Sequence, residues 1–555
     1  MFRHLALASL LAAPAFASDW SNLGGNGARN GLSSEHGPTS GTVLWSNALD
    51  PAVIAWHPVT LGHRVFAIRE AGFPQNGGAA NDKLVCYHID TGAILWSTVV
   101  PYSGSTATDW IAWIGGANGS RVYASRASNG KPKELEAFDA ATGAHLWTSV
   151  AKSEAFAYDG VVFAPDGDPI VGDLATLTRI DAVTGNTVWT FNRTRPVSGN
   201  CGAAVTDTAV YLDNGFFGTS QWITKLDLAT GAFLYDSPHL PGGSEQNAPF
   251  VSPDGSTVYL ARTQNNPATD FLFAFDDTGA ALNVKWQTAV RWTTSHEHGI
   301  GADGSVYTFL PNNEFVRLDP TTGLVASTAG TLSPIGTSNL SPKTAVAANG
   351  VVYVSNGWAN SPSTNGRVWA FSADLSTNLF TLNLTNPNQG GPALGANGTL
   401  IVADLAGVRA YRTPTASFYC AAKTNSLGCV PGITFTGAAS ATSTDAFTIR
   451  EHSALNNKNG LFFYGTAGAA SSPFQGGTLC VHAPIKRTSV QNSGGNPPPN
   501  DCSGSYAIDF NSLIQGGTDP NLVSSATVHG QWWARDPSDP FTTSLSGGIT
   551  FTIQP

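Results

Sequence analysis

Three residues in a row, His296-Glu297-His298, carry the spacing with the most chemical meaning in this chain. On a strand, His-x-His puts both imidazoles on one face. Two imidazoles and a carboxylate from elsewhere make a plausible donor set for Zn²⁺ or another transition metal. His57, in IAWHP (54–58), and Glu245, in SEQNAP (244–249), occupy comparable places ahead of short β patterns. So do DWIAW (109–113) and PNQGG (387–391). The expectation is that these segments open at one rim of a central channel. There His57, Glu245, His296, Glu297 and His298 would form a ligand-binding mouth. The competing reading is a polar, water-filled opening without a bound ion, and the metal is left unassigned. DGDPIVGD (166–173) gathers three carboxylates but lacks EF-hand spacing and a closing Glu, so it reads as a hairpin turn. Neither G-x-S-x-G nor H-E-x-x-H occurs.

A repeat must position these residues. FDAATGAHLW (138–147) recurs as HIDTGAILW (88–96), IDAVTGNTVW (180–189), LDLATGAFLY (226–235) and LDPTTGLVAS (318–327). FDDTGAALNVKW (275–286) and FSADLSTNLF (371–380) are looser copies, and GTVLW (41–45) is a half copy. The spacing of about 40–54 residues is that of one strand-rich supersecondary unit per repeat. Upstream of the copies lie hairpin signals such as DGVVFAP (159–165), DGSVYTF (303–309) and NGVVYVS (349–355). Each unit therefore reads as a four-stranded blade whose Asp-x-x-Thr-Gly element turns the chain into an outer strand.

A single blade cannot bury both faces and must stack on its neighbours. Trp45, Trp96, Trp147, Trp189, Tyr235 and Trp286 are then docking residues, large flat rings that fill the widening wedge between blades. Ser327 stands in the same register without an aromatic ring. Eight units can be counted. GGPALGANGTLIVADLAGVRAYR (390–412) has inner strands but no closing strand, whereas GTVLW has only the closing strand. The two ends should complete one blade and close the ring.

The D-x-x-T-G-x-x-x-W element resembles the repeat of the pyrroloquinoline quinone-like (PQQ-like) β-propellers. WSNLGGNGARNGL (20–32) resembles the segment ahead of their first blade, and the resemblance spans about residues 20–412. It implies an all-β, eight-bladed propeller. The family includes quinone-dependent alcohol dehydrogenases and non-enzymatic scaffolds, such as a lipoprotein of outer-membrane protein assembly. Fold alone does not choose between them. The dehydrogenases typically carry a disulfide between adjacent Cys over the cofactor and hold Ca²⁺ through a Glu, an Asn and a catalytic Asp. The cysteines here, 86, 201, 420, 429, 480 and 502, include no adjacent pair, and no stretch matches those calcium motifs. No cofactor is therefore expected, with PQQ or a divalent metal as the alternative.

Residues 1–17 read as a secretory leader: Arg3 and His4, an apolar run to Ala13, then Ala15-Phe16-Ala17, with cleavage after Ala17. No Cys stands at that point to take a lipid, and no later stretch reaches 18 consecutive apolar residues. A net charge of −10 gives no electrostatic footprint for nucleic acid.

The repeat stops after Tyr411, so the expected division is 18–412 for the propeller and 413–555 for a second module. That module holds four Cys, which in an exported chain read as disulfides. The sequence-local pairing, Cys420–Cys429 and Cys480–Cys502, is preferred among three. Cys86 and Cys201 are expected as buried thiols. FTIRE (447–451), GLFFYG (460–465), TLCVHAP (478–484), ATVHGQWWARD (526–536) and GITFTIQ (548–554) read as strands of a β-sandwich. FYCAAKTNSLGC, NKNGLFFYGTAG and PFQGGTLCV resemble a C-terminal module that recurs in secreted bacterial proteins behind varied N-terminal domains, which suggests attachment, sorting or surface binding. Trp532 and Trp533 should face opposite sides of their strand, one in the core and one available at the surface as a stacking platform. The expected function is a secreted, monomeric, non-enzymatic binding or scaffold protein of the periplasm, cell surface or medium. Its partner would be a protein or polysaccharide. A quinone- or metal-dependent oxidoreductase and an outer-membrane assembly scaffold are the alternatives.

Overall fold

A computed structural model describes residues 20–48, 53–71, 77–127, 131–153, 160–194, 202–216, 220–241, 248–265, 268–291, 298–335, 342–357, 366–384, 388–404, 407–443 and 446–554. Glu245, His296, Glu297, Cys201 and the leader 1–17 lie outside them. The chain divides into two compact units, Met1–Thr413 and Pro414–Pro555.

The described strands of the first unit group into eight antiparallel sheets, seven of four strands and one of five. One sheet runs Val53–Leu61, Arg64–Glu70, Lys83–His88, Ile94–Val99 from its innermost to its outermost strand, and the next runs Trp113–Asn118, Arg121–Ser125, Lys133–Asp139, His145–Ser153. In the last sheet, strands Asn388–Gly395, Thr399–Asp404 and Gly407–Tyr411 are completed by Val43–Asn47 from the start of the chain. Trp45 pairs with Ala410 and Ser46 with Arg409, so the half copies at the two ends make one sheet. This β-propeller keeps its edges short because the N-terminal strand covers the outer edge of the last sheet.

The apolar core lies between sheets. One cluster joins Phe66, Ile68 and Leu84 of the first sheet to Ile114, Val122 and Phe138 of the second, and equivalent clusters join later pairs. The Asp-x-x-Thr-Gly element closes its turn through the Asp side chain. Asp139 Oδ1 accepts from Thr142 N and Thr142 Oγ1, each at 2.8 Å, and Asp181, Asp227 and Asp319 repeat the pattern with Thr184, Thr230 and Thr322. The Thr142 hydroxyl bond comes first among the effects that hold the Asp139 carboxyl below its usual range. A register shift then sets the outer strand: Ala137 pairs with Trp147, but Phe138 pairs with His145. The same irregularity precedes Trp96, Trp189, Tyr235 and Trp286 in their sheets.

The second unit is all-β apart from one short helix, Phe510–Gln515, capped by Asp509. A six-stranded sheet contains Ala416–Tyr419, Thr543–Thr552, Thr527–Arg535 and Asn459–Gly465. A three-stranded sheet contains Gly432–Thr436, Thr448–Ala454 and Gly504–Asp509. Phe447, Ile449, Phe462, Tyr506, Trp532 and Phe551 share one core between them.

The expected cysteine pairing is corrected here. The bonds are Cys420–Cys480 and Cys429–Cys502, closing separations of 60 and 73 residues. Strand placement outweighs sequence proximity. Tyr419, next to Cys420, donates its hydroxyl to the Cys480 carbonyl at 2.5 Å, and the turn Asn425–Cys429 directs Cys429 to the side where Asn425 Nδ2 meets Cys502 Sγ at 3.7 Å. Cys86 is a buried free thiol, and burial pushes its pKa up to about 12.

Candidate functional site

The strongest geometric relationship in the first unit links consecutive sheets. Each docking Trp donates its indole N–H to a carbonyl of the following sheet. The pairs are Trp45 to Ile89 at 2.6 Å, Trp96 to Ala140 at 3.2 Å, and Trp147 to Ala182, Trp189 to Leu228 and Trp286 to Pro320 at 3.0 Å each. In all five the acceptor stands three residues before the Thr-Gly glycine. The ring then lies on that glycine: a Cβ built at Gly143 would stand 2.5 Å from Trp96 Cε3, and one at Gly231 would stand 2.6 Å from Trp189 Cδ2. The glycine is required twice over, since Gly143 also has φ +73. The Thr-Gly turn thus receives the Trp of the preceding sheet as well as leading into its own outer strand. Burying about 200 Å² of indole at ~25 cal/mol/Å² contributes roughly 5 kcal/mol gross per joint.

Where the aromatic changes, the acceptor changes. Tyr235 donates to Asp277 Oδ1 at 2.6 Å, while Tyr211 and Lys225 reach Asp277 Oδ2 at 2.5 and 2.7 Å. Burial works to raise the Asp277 pKa, but the Lys225 ammonium and the two phenols outweigh it and hold it at about 2. At the Ser327 joint, Tyr307 supplies the donor instead, to the Ala373 carbonyl at 2.7 Å.

The centre of the ring is occupied by the chain itself. Carbonyls of Trp20, Ser21, Gly27, Ala28, Asn30 and Gly31 accept from the N–H groups of Thr60, Ala117, Val205, Val251, Ile300 and Val346, at 2.7–3.0 Å. Those six donors lie on or beside the innermost strands of six different sheets. A segment that reaches all of them has to run around the axis. WSNLGGNGARNGL suits this task because small residues let its backbone approach closely. A Cβ at Gly31, for instance, would stand 2.7 Å from the Thr344 carbonyl oxygen.

His57 belongs to this assembly. It does not precede the innermost strand, as the sequence suggested, but sits inside Val53–Leu61, where the register shifts between Ala55 and Val59. Its Nε2 accepts from Trp20 Nε1 at 2.8 Å, and its Nδ1 lies 3.1 Å from the backbone N–H of Gly391, so both ring nitrogens face protein groups. Burial first, and the Lys343 charge second, lower its pKa to about 3, so the ring is neutral at ordinary pH. A metal at Nε2 would have to displace the Trp20 bond.

His298 is also buried. Its Nδ1 lies 3.0 Å from Thr308 Oγ1, and its ring stacks on Phe250 with centroids 5.1 Å apart. His57 lies within Val53–Leu61, whereas His298 stands just before Gly299–Ile300 of a different sheet. Among the described residues, no three His, Cys, Asp or Glu side chains gather as a metal set. Among the described residues both disulfides lie in the second unit, and His57 Nε2 accepts from Trp20. The carboxylates of DGDPIVGD are committed as well. Asp166 and Asp168 both bind Arg179, the latter at 2.9 Å, and Asp173 Oδ1 accepts from Ala175 N at 2.8 Å.

Sequence reasoning missed a clamp between the first two sheets. Arg126, fully buried, donates to Asp82 Oδ2 at 3.0 Å and to the carbonyls of Ala79, Val100, Pro101 and Trp110 at 2.7–3.2 Å. Asp82 in turn accepts from Ala71 N and Ala112 N, both at 2.9 Å. In the second unit, Trp532 is buried in the core and Trp533 faces the other side, where its Nε1 donates to Gln475 Oε1 at 2.9 Å. Among the described residues no helix is long and apolar enough to cross a membrane.

Stacked four-stranded sheets, joined by a Trp-to-turn contact, define a PQQ-like β-propeller repeat protein. The chain belongs to the family described as outer membrane protein assembly factor BamB, whose model matches residues 30–153 and 80–329. The quinoprotein ethanol dehydrogenase of Pseudomonas aeruginosa is 29% identical over 143 residues, which are 24% of this chain and 22% of that protein. The quinohemoprotein alcohol dehydrogenase of Comamonas testosteroni has a similar fold, with TM-score 0.51 at 13% identity over 74% of this chain and 83% of that one. The structure of BamB from Moraxella catarrhalis aligns with TM-score 0.45 at 18% identity, over 66% of this chain and 98% of that one.

Proposed function

We propose that the chain is an exported, non-enzymatic binding or scaffold protein. Residues 1–17 are removed on export. Residues 18–412 work as an eight-bladed propeller whose free face takes a protein or glycan partner, and residues 413–555 attach or dock it. The observation that carries this reading is the bond from Trp20 to His57. It commits one of the two described histidines of the expected channel site to holding the N-terminal segment in the ring. The family match supports a role among proteins of envelope assembly, and an assembly scaffold is the narrower form of the same reading. The similarity to a quinoprotein ethanol dehydrogenase supports the second reading, an oxidoreductase using the channel mouth with His296 and His298.

One experiment separates them. The mature protein, purified from its native compartment, is analysed for metal and for quinone absorption, alongside a His296→Ala/His298→Ala variant. A preparation carrying neither group, with variant and wild type alike, is the expected result. Stoichiometric metal or quinone that disappears in the variant would overturn the proposal in favour of the oxidoreductase.

A further inference from the structure

Glu451 is buried in the second unit without a partner. It lies on the strand Thr448–Ala454, where Ile449, Glu451 and Ala454 are buried while Arg450 and His452 are exposed. Glu451 therefore sits on the face whose neighbours form the apolar core. Its relative exposure is 0%, and neither carboxyl oxygen has a hydrogen-bond partner among the described residues. Directly opposite on the adjacent strand is Tyr506, whose ring stacks on Trp532 with centroids 5.5 Å apart. The Trp532 indole N–H is likewise buried and without a partner. An ionised carboxylate in such surroundings costs several kcal/mol, whereas the neutral acid costs far less.

The groups that face Glu451 do not offset its charge. On the strand Gly432–Thr436 its opposite residue is Ile433. On Gly504–Asp509 it is Tyr506, whose hydroxyl is committed to the Lys458 carbonyl at 2.9 Å. Across the core, Tyr464 donates to Asp519, which is paired with Lys486. The helix Phe510–Gln515 carries no titratable side chain. Burial alone pushes the Glu451 pKa up to about 8.

The ladder is weakest beside this group. Pairing with Gly504–Asp509 is regular through Glu451–Tyr506, then breaks before Ala454–Gly504, and Ser453 inside the break has φ 60.

We propose that Glu451 is a pH-operated latch: it is carried as a neutral acid in the folded module, and its ionisation opens the strand pair Thr448–Ala454 and Gly504–Asp509 at the bulge. The folded-state pKa is raised above the unfolded one, so the unfolded or opened form releases the proton first. Stability is highest below the unfolded pKa, falls as pH rises between the two values, and levels off above the folded one.

The test is hydrogen exchange on the full, disulfide-bonded chain, with rates corrected for the intrinsic effect of pH. Protection of residues 448–454 and 504–509 should fall about tenfold per pH unit across the window in wild type, and stay flat in Glu451→Gln. Parallel slopes in the two proteins would overturn the latch. Infrared titration of wild type gives an answer even if the variant does not fold. A protonated side-chain carboxyl that persists at neutral pH and disappears at about pH 8 supports the proposal. Its absence at neutral pH refutes it.

Discussion

The indole of Trp96 rests on Gly143 of the following sheet, so closely that a methyl group there would overlap Cε3 and Cδ2 at 2.5 and 2.7 Å. Gly279, in the equivalent turn after Tyr235, has φ +80 but nothing within 4 Å of its added Cβ. The two glycines share a backbone conformation and differ in what lies above them. Gly279→Ala should cost only the left-handed conformation, about 1–2 kcal/mol. Gly143→Ala adds an overpacked joint, for a total of about 2–5 kcal/mol. Urea unfolding of the two variants checks this. Equal losses would mean that the ring does not depend on this contact.

The bond between Trp20 and His57 predicts how the propeller responds to acid. The folded pKa of His57, about 3, lies below its ordinary 6.5, so the unfolded state takes up the proton first. The neutral ring's contribution is complete above the unfolded value and is lost as pH falls towards the folded one. The unfolding equilibrium should shift by about tenfold per pH unit in that window, and His57→Gln should flatten the dependence. Trp20→Phe removes the donor to Nε2 and should cost about 1–3 kcal/mol at neutral pH. Denaturation midpoints of the first unit at several pH values measure both effects.

The repeat was legible because its two determinants are local. A Thr-Gly turn and an aromatic four residues later are visible along the chain, as is the complementarity of the two half copies that places Val43–Asn47 on Gly407–Tyr411. Which turn receives which Trp was not legible, because that depends on the offset between sheets and not on spacing within one. The place of His57 was hidden for a similar reason. A histidine ahead of a β pattern looks available for a metal, but the bulge at 55–59 and a partner 37 residues away make it internal. Glu451 left a readable mark. In FTIRE it has the parity of the apolar Phe447 and Ile449, so alternation alone would have placed a carboxyl in the core. The cysteine pairing left none, since sequence separation does not report which strands become neighbours.

Arg126 and Asp82 give a prediction about the joint between the first two sheets. Arg126→Ala leaves a buried carboxylate with its two backbone donors but no counter-charge, together with four carbonyls that each lose the guanidinium donor, of which Ala79 keeps the Asp82 N–H. Breaking such a pair should cost about 3–5 kcal/mol. Replacing both partners, as in Arg126→Met/Asp82→Leu, should recover part of the loss, because no uncompensated charge remains buried. Calorimetry of the single and double variants compares them. A double variant no better than the single would place the cost in the freed carbonyls and not in the charge.

Reduction should separate the two units. Both disulfides lie in the second, and each closes a long loop, 60 residues for Cys420–Cys480 and 73 for Cys429–Cys502. By loop-closure entropy each is worth roughly 4 kcal/mol, and the usual range on removal is about 2–5 kcal/mol. Cys429→Ser/Cys502→Ser should therefore lower the unfolding midpoint of the second unit and leave the propeller transition in place. The propeller is held by indole contacts between sheets, and its described thiol, Cys86, is buried within a strand. Peptide mapping without reduction should recover a fragment linking residue 420 to 480 and another linking 429 to 502. A fragment linking 420 to 429 would contradict the strand placement that brings Tyr419 to the Cys480 carbonyl. A propeller transition that moved with the disulfides would show that the two units do not unfold separately.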